Sequence, residues 1–146
     1  MIKTQRFTVQ TFCCLFSIIA LCSFTFAQTY TPKSGSVERK ALMDALRVPV
    51  EKELGKKVAF KIDHLKVQGD WAFMRGIPQQ VNGKAMDYRD SPYQEAIKEG
   101  MFDDGICALL KKQDGEWTVV IYQIGATDVP WVGWDEEYKA PAAIFK

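Results

Sequence analysis

The chain has 146 residues, and its 19 basic and 18 acidic side chains leave a formal net charge of +1. This length suits one ordinary domain that buries a single core without needing disulfides. The near-neutral charge argues against nucleic acid or an anionic membrane as the partner, because either would be attracted mainly by an excess of basic residues.

The first 27 residues have the pattern of a cleaved Sec signal peptide. Lys3 and Arg6 form a basic start, an apolar stretch runs from Phe12 to Phe26, and Ala27 is a small residue at the exit. The apolar stretch is shorter than the roughly 20 residues that span a bilayer, so a retained anchor is disfavoured. We therefore predict a protein exported to the periplasm or the exterior. Its mature chain would begin at Gln28 and keep no stable membrane anchor.

Cysteine usage leaves one thiol in the predicted mature chain. Cys13, Cys14 and Cys22 lie in the predicted signal, so only Cys107 remains and an internal disulfide is excluded. A leftover thiol can pair between chains or act as a nucleophile, but cysteine is also a common small apolar core residue. We predict that Cys107 is buried in a strand.

The main helix is predicted after a polar, flexible lead-in at residues 28–35. Ser36 offers an N-cap, and Gly55 is a suitable stop. Pro49 should kink the helix or restart it as a second turn that runs through Leu54. The apolar positions have the spacing of a helix that buries one face. Leu42 and Leu46 lie beside the predicted stripe, which consists of Val37, Ala41, Ala45 and Val48.

Residues 57–68 change to the period of a β-strand. Apolar side chains occupy even positions up to Ile62 and then move to odd positions at Leu65 and Val67. A shift of this kind predicts a β-bulge around Asp63–His64.

A turn and a second strand should follow. Gly69-Asp70 predicts a hairpin turn, Trp71–Ile77 the returning strand, and Pro78 its end. Asn82-Gly83 predicts a further turn within a polar loop. The run from Ser91 to Gln94 predicts the start of a short helix, which Gly100 should end.

A second hairpin is predicted before an aromatic tail. Ile106–Lys112 and Trp117–Ile124 read as strands joined by an Asp114-Gly115 turn. The tail, residues 125–146, has no clear period, but it carries several aromatic side chains. Because their exposure would be costly, we expect the tail to wrap over the sheet or the helix.

This element order predicts an α+β domain over residues 36–146, with one long helix packed on a curved four-stranded antiparallel sheet (α-β-β-α-β-β). The order resembles the NTF2-like and cystatin-like group of folds, in which a helix lies on the concave side of a curved sheet. The segments GDWAF (69–73), EGMF (99–102) and DGEWTVV (114–120) are similar to those of small exported bacterial proteins in this group. Those proteins have no assigned activity, and folds of this group often dimerise. The resemblance therefore implies a fold and a homodimer rather than a reaction.

Catalytic candidates are few. His64 is the sole histidine, so a histidine-based mechanism would have to use it together with Cys107 or a serine. Steroid isomerases of the NTF2-like group place an aspartate and a tyrosine in the sheet-lined pocket, where the carboxylate removes a proton and the phenol stabilises the oxyanion. By this resemblance Asp63 and Tyr122 join His64 as candidates. Other carboxylates and phenols that could serve are Asp87, Asp103, Asp104, Tyr88 and Tyr93.

Ligand-binding candidates are the four tryptophans, Trp71, Trp117, Trp131 and Trp134. Aromatic side chains that line a concave sheet can hold an apolar ligand, or they can simply fill the core. The acidic run at 135–137 lacks the spacing and glycine of a calcium loop, and no histidine or cysteine pair has the spacing of a zinc site. We predict neither a metal site nor a cofactor.

Three functions remain open from the sequence. The first is a non-enzymatic binding or accessory domain for a small apolar ligand or a protein partner, and we favour it because no catalytic set is apparent. The second is an isomerase-type or hydrolase-type pocket enzyme. The third is a cystatin-style inhibitor, which would need the turns at 69–70 and 114–115 on one edge of the sheet. Cystatins carry a Gln-Val-Gly loop, and the nearest segment here, Val67-Gln68-Gly69, has a different order.

Overall fold

The protein is an α+β domain built on a four-stranded antiparallel sheet. The computed structural model describes residues 27–146, so most of the predicted signal peptide lies outside the described residues. Helix α1 (Val37–Leu54) precedes β1 (Ala59–Gln68) and β2 (Trp71–Gln79), and a short helix α2 (Gln94–Lys98) precedes β3 (Ile106–Gln113) and β4 (Glu116–Ile124). The strands lie side by side in chain order. The predicted fold class is thereby confirmed at the level of helix, sheet and strand direction.

Helix α1 begins and ends where the sequence predicts. The side chain of Ser36 accepts a hydrogen bond from the backbone N–H of Arg39 at 3.2 Å, and Gly55 adopts the left-handed conformation with φ of 65°. The helix runs through Pro49 as one element, so the predicted restart does not occur.

The buried stripe of α1 differs from the predicted stripe. Val37 is 87% exposed and Val48 is 71% exposed, whereas the inward side chains are Leu42, Met43, Leu46, Val50 and Leu54. Four of these recur every four residues, and burying the large side chains removes more apolar surface from water than burying valine and alanine would. The helix is therefore rotated so that its leucines face the sheet.

The bulge in β1 is confirmed. The register between β1 and β2 shifts between Ile62 and His64, which leaves Asp63 as the additional residue. Ile62 and Leu65 consequently face α1 together, and the two residues between them are free to face the other way.

Strand β2 does not end at Pro78 as predicted. Pro78 is paired with Phe60 of β1 and the strand continues to Gln79. Strand β3 pairs with β2 only between Trp71 and Gly76, so the missing N–H of Pro78 does not interrupt a ladder on that side.

The second helix starts later than predicted. The hydroxyl of Ser91 accepts from the N–H of Tyr93 at 3.3 Å, and the amide of Gln94 donates to the carbonyl of Tyr88 at 2.6 Å. These bonds build a turn, and α2 itself has only five residues.

The lead-in is attached to the sheet rather than free. The backbone of Tyr30 exchanges two hydrogen bonds with Val67, of 2.9 and 2.8 Å. Strand β1 lies at the edge of the sheet, so its outward N–H and C=O groups are available to this segment.

The sheet is covered on both faces. Its helix face packs on α1 through a large core that includes Leu65, Met74, Leu110 and Trp117. Its tail face presents Phe73, Cys107 and Leu109 to the tail, which contains helix α3 (Trp134–Tyr138) and a 3₁₀ turn (Ala142–Phe145). The predicted wrapping of the tail over the sheet is thus confirmed. Within residues 27–146, no helix combines the length and the apolar character needed to cross a membrane.

Candidate binding cleft

The tail leaves one end of the tail face uncovered, and a cleft of about 390 Å³ lies there. Its walls come from the β1 bulge, the start of β3, the chain around 126–131 and β2 residues Arg75–Ile77. The hairpin turns at 69–70 and 114–115 lie at the opposite end of the sheet, because β1 and β2 run antiparallel to each other, as do β3 and β4. The cleft is therefore formed by strand ends that the hairpins do not obstruct.

Arg75 forms part of the cleft wall. Its guanidinium carbon lies 5.1 Å from the ring centroid of Trp131, and its Nη2 lies 3.7 Å from a carboxylate oxygen of Asp63. The cation–π contact and the ion pair together hold the side chain against the wall.

The β1 bulge determines which side chains reach this face. In a regular strand, Asp63 and His64 would point to opposite faces. Instead, Asp63 reaches Arg75, and the ring of His64 lies 5.6 Å from that of Phe73 under the tail. The bulge thus places both residues on the tail face without pairing them.

Two backbone hydrogen bonds bring the acidic loops together. The N–H of Asp103 donates to the carbonyl of Gly125 at 3.1 Å, and the N–H of Gly125 donates to the carbonyl of Gly105 at 3.0 Å. Gly125 has φ of +81°, and a Cβ on it would lie 2.3 Å from the ring of Phe102. A glycine is needed at this position for both reasons, and it places Asp103 beside the chain that leads to Asp128.

A second glycine allows close contact between strands at the cleft floor. A Cβ on Gly76 would lie 2.3 Å from the backbone oxygen of Lys61, so any side chain would push β1 and β2 apart next to the bulge.

The cleft lining carries more negative than positive charge. Its two cations are Lys61 and Arg75, and its four carboxylates are those of Asp63, Asp103, Asp104 and Asp128. Among the residues that the structure describes, the last three carboxylates form no salt bridge. Burial, followed by the charges of Asp104 and Asp103, raises the pKa of Tyr88 to about 12.

His64 and Cys107, which the sequence offers as a possible base and nucleophile, are not free to react. The Nε2–H of His64 donates to the carbonyl of Ile144 at 2.7 Å, so that nitrogen is not free to accept a proton. Cys107 lines the cleft wall and is buried in β3, as predicted. Its burial raises the pKa of the thiol to about 11, so the reactive thiolate is scarce at neutral pH.

Tyr122 lies on the helix face, across the sheet from Asp63 and His64. Its hydroxyl and that of Tyr93 both donate to the carboxylate of Glu53 on α1. Burial and the bond to Glu53 raise the pKa of Tyr122 to about 12 and that of Tyr93 further. The three catalytic candidates therefore do not converge in one pocket.

The sequence analysis does not identify two charged residues, Glu53 and Arg75, that contact these candidate side chains. Glu53 falls three residues after Val50, on the buried stripe of α1, and a carboxylate there signals a polar partner. Arg75 lies two residues after Phe73 and on the same face of β2, and a cation on this covered face gives the same signal.

The four tryptophans have different roles. Trp117 is part of the helix-face core and Trp134 is part of the tail-face core, so neither ring is free to meet a ligand. Trp71 is half-buried at the hairpin end, with the ammonium of Lys111 4.8 Å from its ring centroid. Trp131 alone among them lines the cleft.

The cleft carboxylates are spread around the rim. Throughout residues 27–146, no group of three or more histidine, cysteine, aspartate and glutamate side chains is arranged to hold a metal ion. Comparisons of the chain with protein-family models, with curated proteins and with solved structures gave no match.

Proposed function

We propose that this protein is an exported, non-enzymatic binding domain whose tail-face cleft binds a cationic group of its ligand. The observation that carries the proposal is the charge of the lining, with four carboxylates against two cations. Arg75 and Asp63 pair with each other, which leaves three carboxylates against Lys61. A cleft with this excess of carboxylates around its rim attracts positive charge.

The apolar part of the lining suggests the shape of the ligand. Ile77, Ile106 and the ring of Trp131 line the same cleft as the carboxylates. An ammonium or guanidinium group on an apolar stem fits such a lining, because the stem can lie along the apolar wall while the charge stays at the acidic rim.

Binding accounts for the site better than catalysis does. A pocket enzyme of the isomerase or hydrolase type would need, besides a carboxylate, a phenol, imidazole or thiol that is free to act on the same ligand. His64 is held by Ile144, Cys107 has a raised thiol pKa, and Tyr122 lies on the other face. No second group in the cleft completes a nucleophile–base pair with Asp63 among the described residues.

Export and fold group belong to the same proposal. Export is supported by the basic and apolar pattern of residues 1–27, and N-terminal sequencing of the processed chain tests it, with Gln28 as the expected first residue. Membership of the NTF2-like/cystatin-like group is supported by the order of elements, a long helix followed by a four-stranded antiparallel meander.

A cystatin-style inhibitor is the second candidate, because one structural requirement for it is met. The turns at 69–70 and 114–115 lie at the same end of the sheet, and the N–H of Lys112 donates to the carbonyl of Asp70 at 2.7 Å. The segment around Tyr30 joins β1 at that end through Val67. Inhibition of a panel of cysteine proteases by the mature chain, weakened by Gly69→Val, is the result that would favour this function over cleft binding.

The cleft proposal is tested by calorimetric titration with N-acetylargininamide, using N-acetylcitrullinamide as a neutral probe of nearly the same shape. We expect binding of the charged probe and weakening with salt, because exposed charge pairs are screened. The double variant Asp103→Asn/Asp128→Asn should weaken binding about tenfold. Asp114→Asn, in the turn at the far end of β3, is the matched control and should have no effect. Equal binding of both probes, or no binding of either, would refute the proposal.

A further inference from the structure

The turn Val129–Val132 presents two exposed apolar side chains beside the cleft. Val132 is 77% exposed and Val129 is 50% exposed. Between them stand Pro130 and Trp131, which both line the cleft. Part of the cleft wall and this apolar pair therefore belong to the same four-residue turn.

The turn is held in a defined shape. The N–H of Val132 donates to the carbonyl of Val129 at 3.3 Å, and the N–H of Trp134 donates to the carbonyl of Trp131 at 3.2 Å. The ring of Trp131 is anchored by Phe73, with centroids 5.7 Å apart. Ordering this turn on binding would therefore cost little conformational entropy.

Negative charge flanks the turn on both sides. Asp128 precedes it and borders the cleft, and residues 135–137 (Asp-Glu-Glu) follow it at the start of α3. An anionic membrane would be repelled by these carboxylates, whereas a protein segment with basic side chains would be attracted.

We infer that the cationic group taken by the cleft is a lysine or arginine side chain of a protein partner, and that Val129 and Val132 contact an apolar side chain next to it. This inference rests on the proposed function, since it names the kind of molecule that carries the cation. Charge complementarity selects the basic residue, and the exposed valines add apolar contact that a free small cation would not use.

The test compares two peptides with the small probe. The peptides are acetyl-Gly-Arg-Leu-Leu-Gly-amide and acetyl-Gly-Arg-Ser-Ser-Gly-amide, titrated into the mature chain alongside N-acetylargininamide. We expect the leucine peptide to bind at least about fivefold more tightly than the serine peptide, because burial of apolar surface favours it. Val129→Ser/Val132→Ser should abolish that advantage and leave the binding of N-acetylargininamide unchanged. The control Val48→Ser/Val81→Ser alters two similarly exposed valines elsewhere and should change neither.

The outcomes separate the two claims. Absence of N-acetylargininamide binding refutes the proposed function, and the inference fails with it. Binding of that probe without any preference for the leucine peptide, or a preference that the double variant keeps, overturns the inference and leaves the proposed function standing. Co-sedimentation with phosphatidylcholine vesicles that Val129→Ser/Val132→Ser abolishes would also overturn it, because the turn would then be a membrane contact.

Discussion

The two faces of the sheet are closed in different ways. On the helix face, one regular element, α1, packs on the sheet with Leu42, Leu46, Val50 and Leu54 at four-residue intervals. On the tail face, short irregular elements cover Phe73 and Leu109 but leave the strand ends near Arg75 open. The groove that remains between α1 and β4 is lined by uncharged side chains, whereas the cleft that the irregular tail leaves is lined by charged residues. The proposed binding site accordingly lies on the irregular face.

The tail and the sheet share a hydrophobic core of their own, centred on Phe73. Phe73 is fully buried and its ring contacts those of His64, Trp131, Trp134 and Phe145. Phe73→Ala should lower the free energy of unfolding by about 3–5 kcal/mol in a denaturant titration, because it removes a large ring and leaves a cavity. Leu46→Ala on the helix face is the matched control, with about 2–5 kcal/mol expected. A loss below about 1 kcal/mol for Phe73→Ala would mean that the tail is only loosely attached.

The close approach of β1 and β2 at the cleft floor is tested by glycine substitution. Gly76→Ala should lower stability by about 2–3 kcal/mol, since its Cβ would lie 2.3 Å from a backbone oxygen that cannot move aside easily. Gly105→Ala is a nearby control, where a Cβ would meet its neighbours at 3.9 Å. The control should change stability by less than about 0.5 kcal/mol. Equal effects of both variants would contradict the strand geometry at the bulge.

The helix face contains the carboxylate–phenol cluster of Glu53, Tyr93 and Tyr122. Tyr122→Phe removes a hydrogen bond to a charged acceptor and should cost about 1.5 kcal/mol at pH 7. The folded-state pKa of about 12 lies above the unfolded value near 10, so the folded chain retains its proton longer. The contribution of the phenol is therefore complete below pH 10 and lost as pH rises toward 12. The stability difference between wild type and Tyr122→Phe should shrink over that interval, and a constant difference would contradict the bond to Glu53.

The hairpin turns give the smallest expected effect. Gly115 has φ of +86° and Gly69 has φ of +57°, a region that valine strongly disfavours. Valine at either position should lower stability by roughly 1 kcal/mol or more. The corresponding asparagine variants should lose less, because asparagine tolerates this conformation. Unchanged melting temperatures in both valine variants would show that these turns tolerate a branched side chain.

Sequence reasoning predicts the parts of the fold that depend on local chemistry. Ser36 and Gly55 mark the ends of α1 because capping needs only neighbouring backbone groups. The phase change after Ile62 marks the bulge because side-chain alternation is strict in a strand. The rotation of α1 is harder to predict, because Leu46 and Val48 are both apolar and only packing on the sheet determines which of them is buried.

The cleft depends on contacts that sequence spacing does not reveal. Arg75 and Trp131 lie far apart along the chain and meet only because the tail folds back over the sheet. A backbone hydrogen bond to Gly125 holds Asp103 beside the segment that leads to Asp128. Tyr122 and His64 are both catalytic candidates in the sequence, but their side chains point to opposite faces of the sheet.

The most direct test of the central claim is an amide and indole NMR titration of the predicted mature chain, residues 28–146, with N-acetylargininamide. We predict that the largest shifts fall on the indole N–H of Trp131 and on the amides of Gly76 and Gly105, while the indole N–H of Trp117 on the helix face does not move. Shifts concentrated around Trp117 and Tyr122, or no shifts at millimolar probe, would contradict the assignment of binding to the tail face.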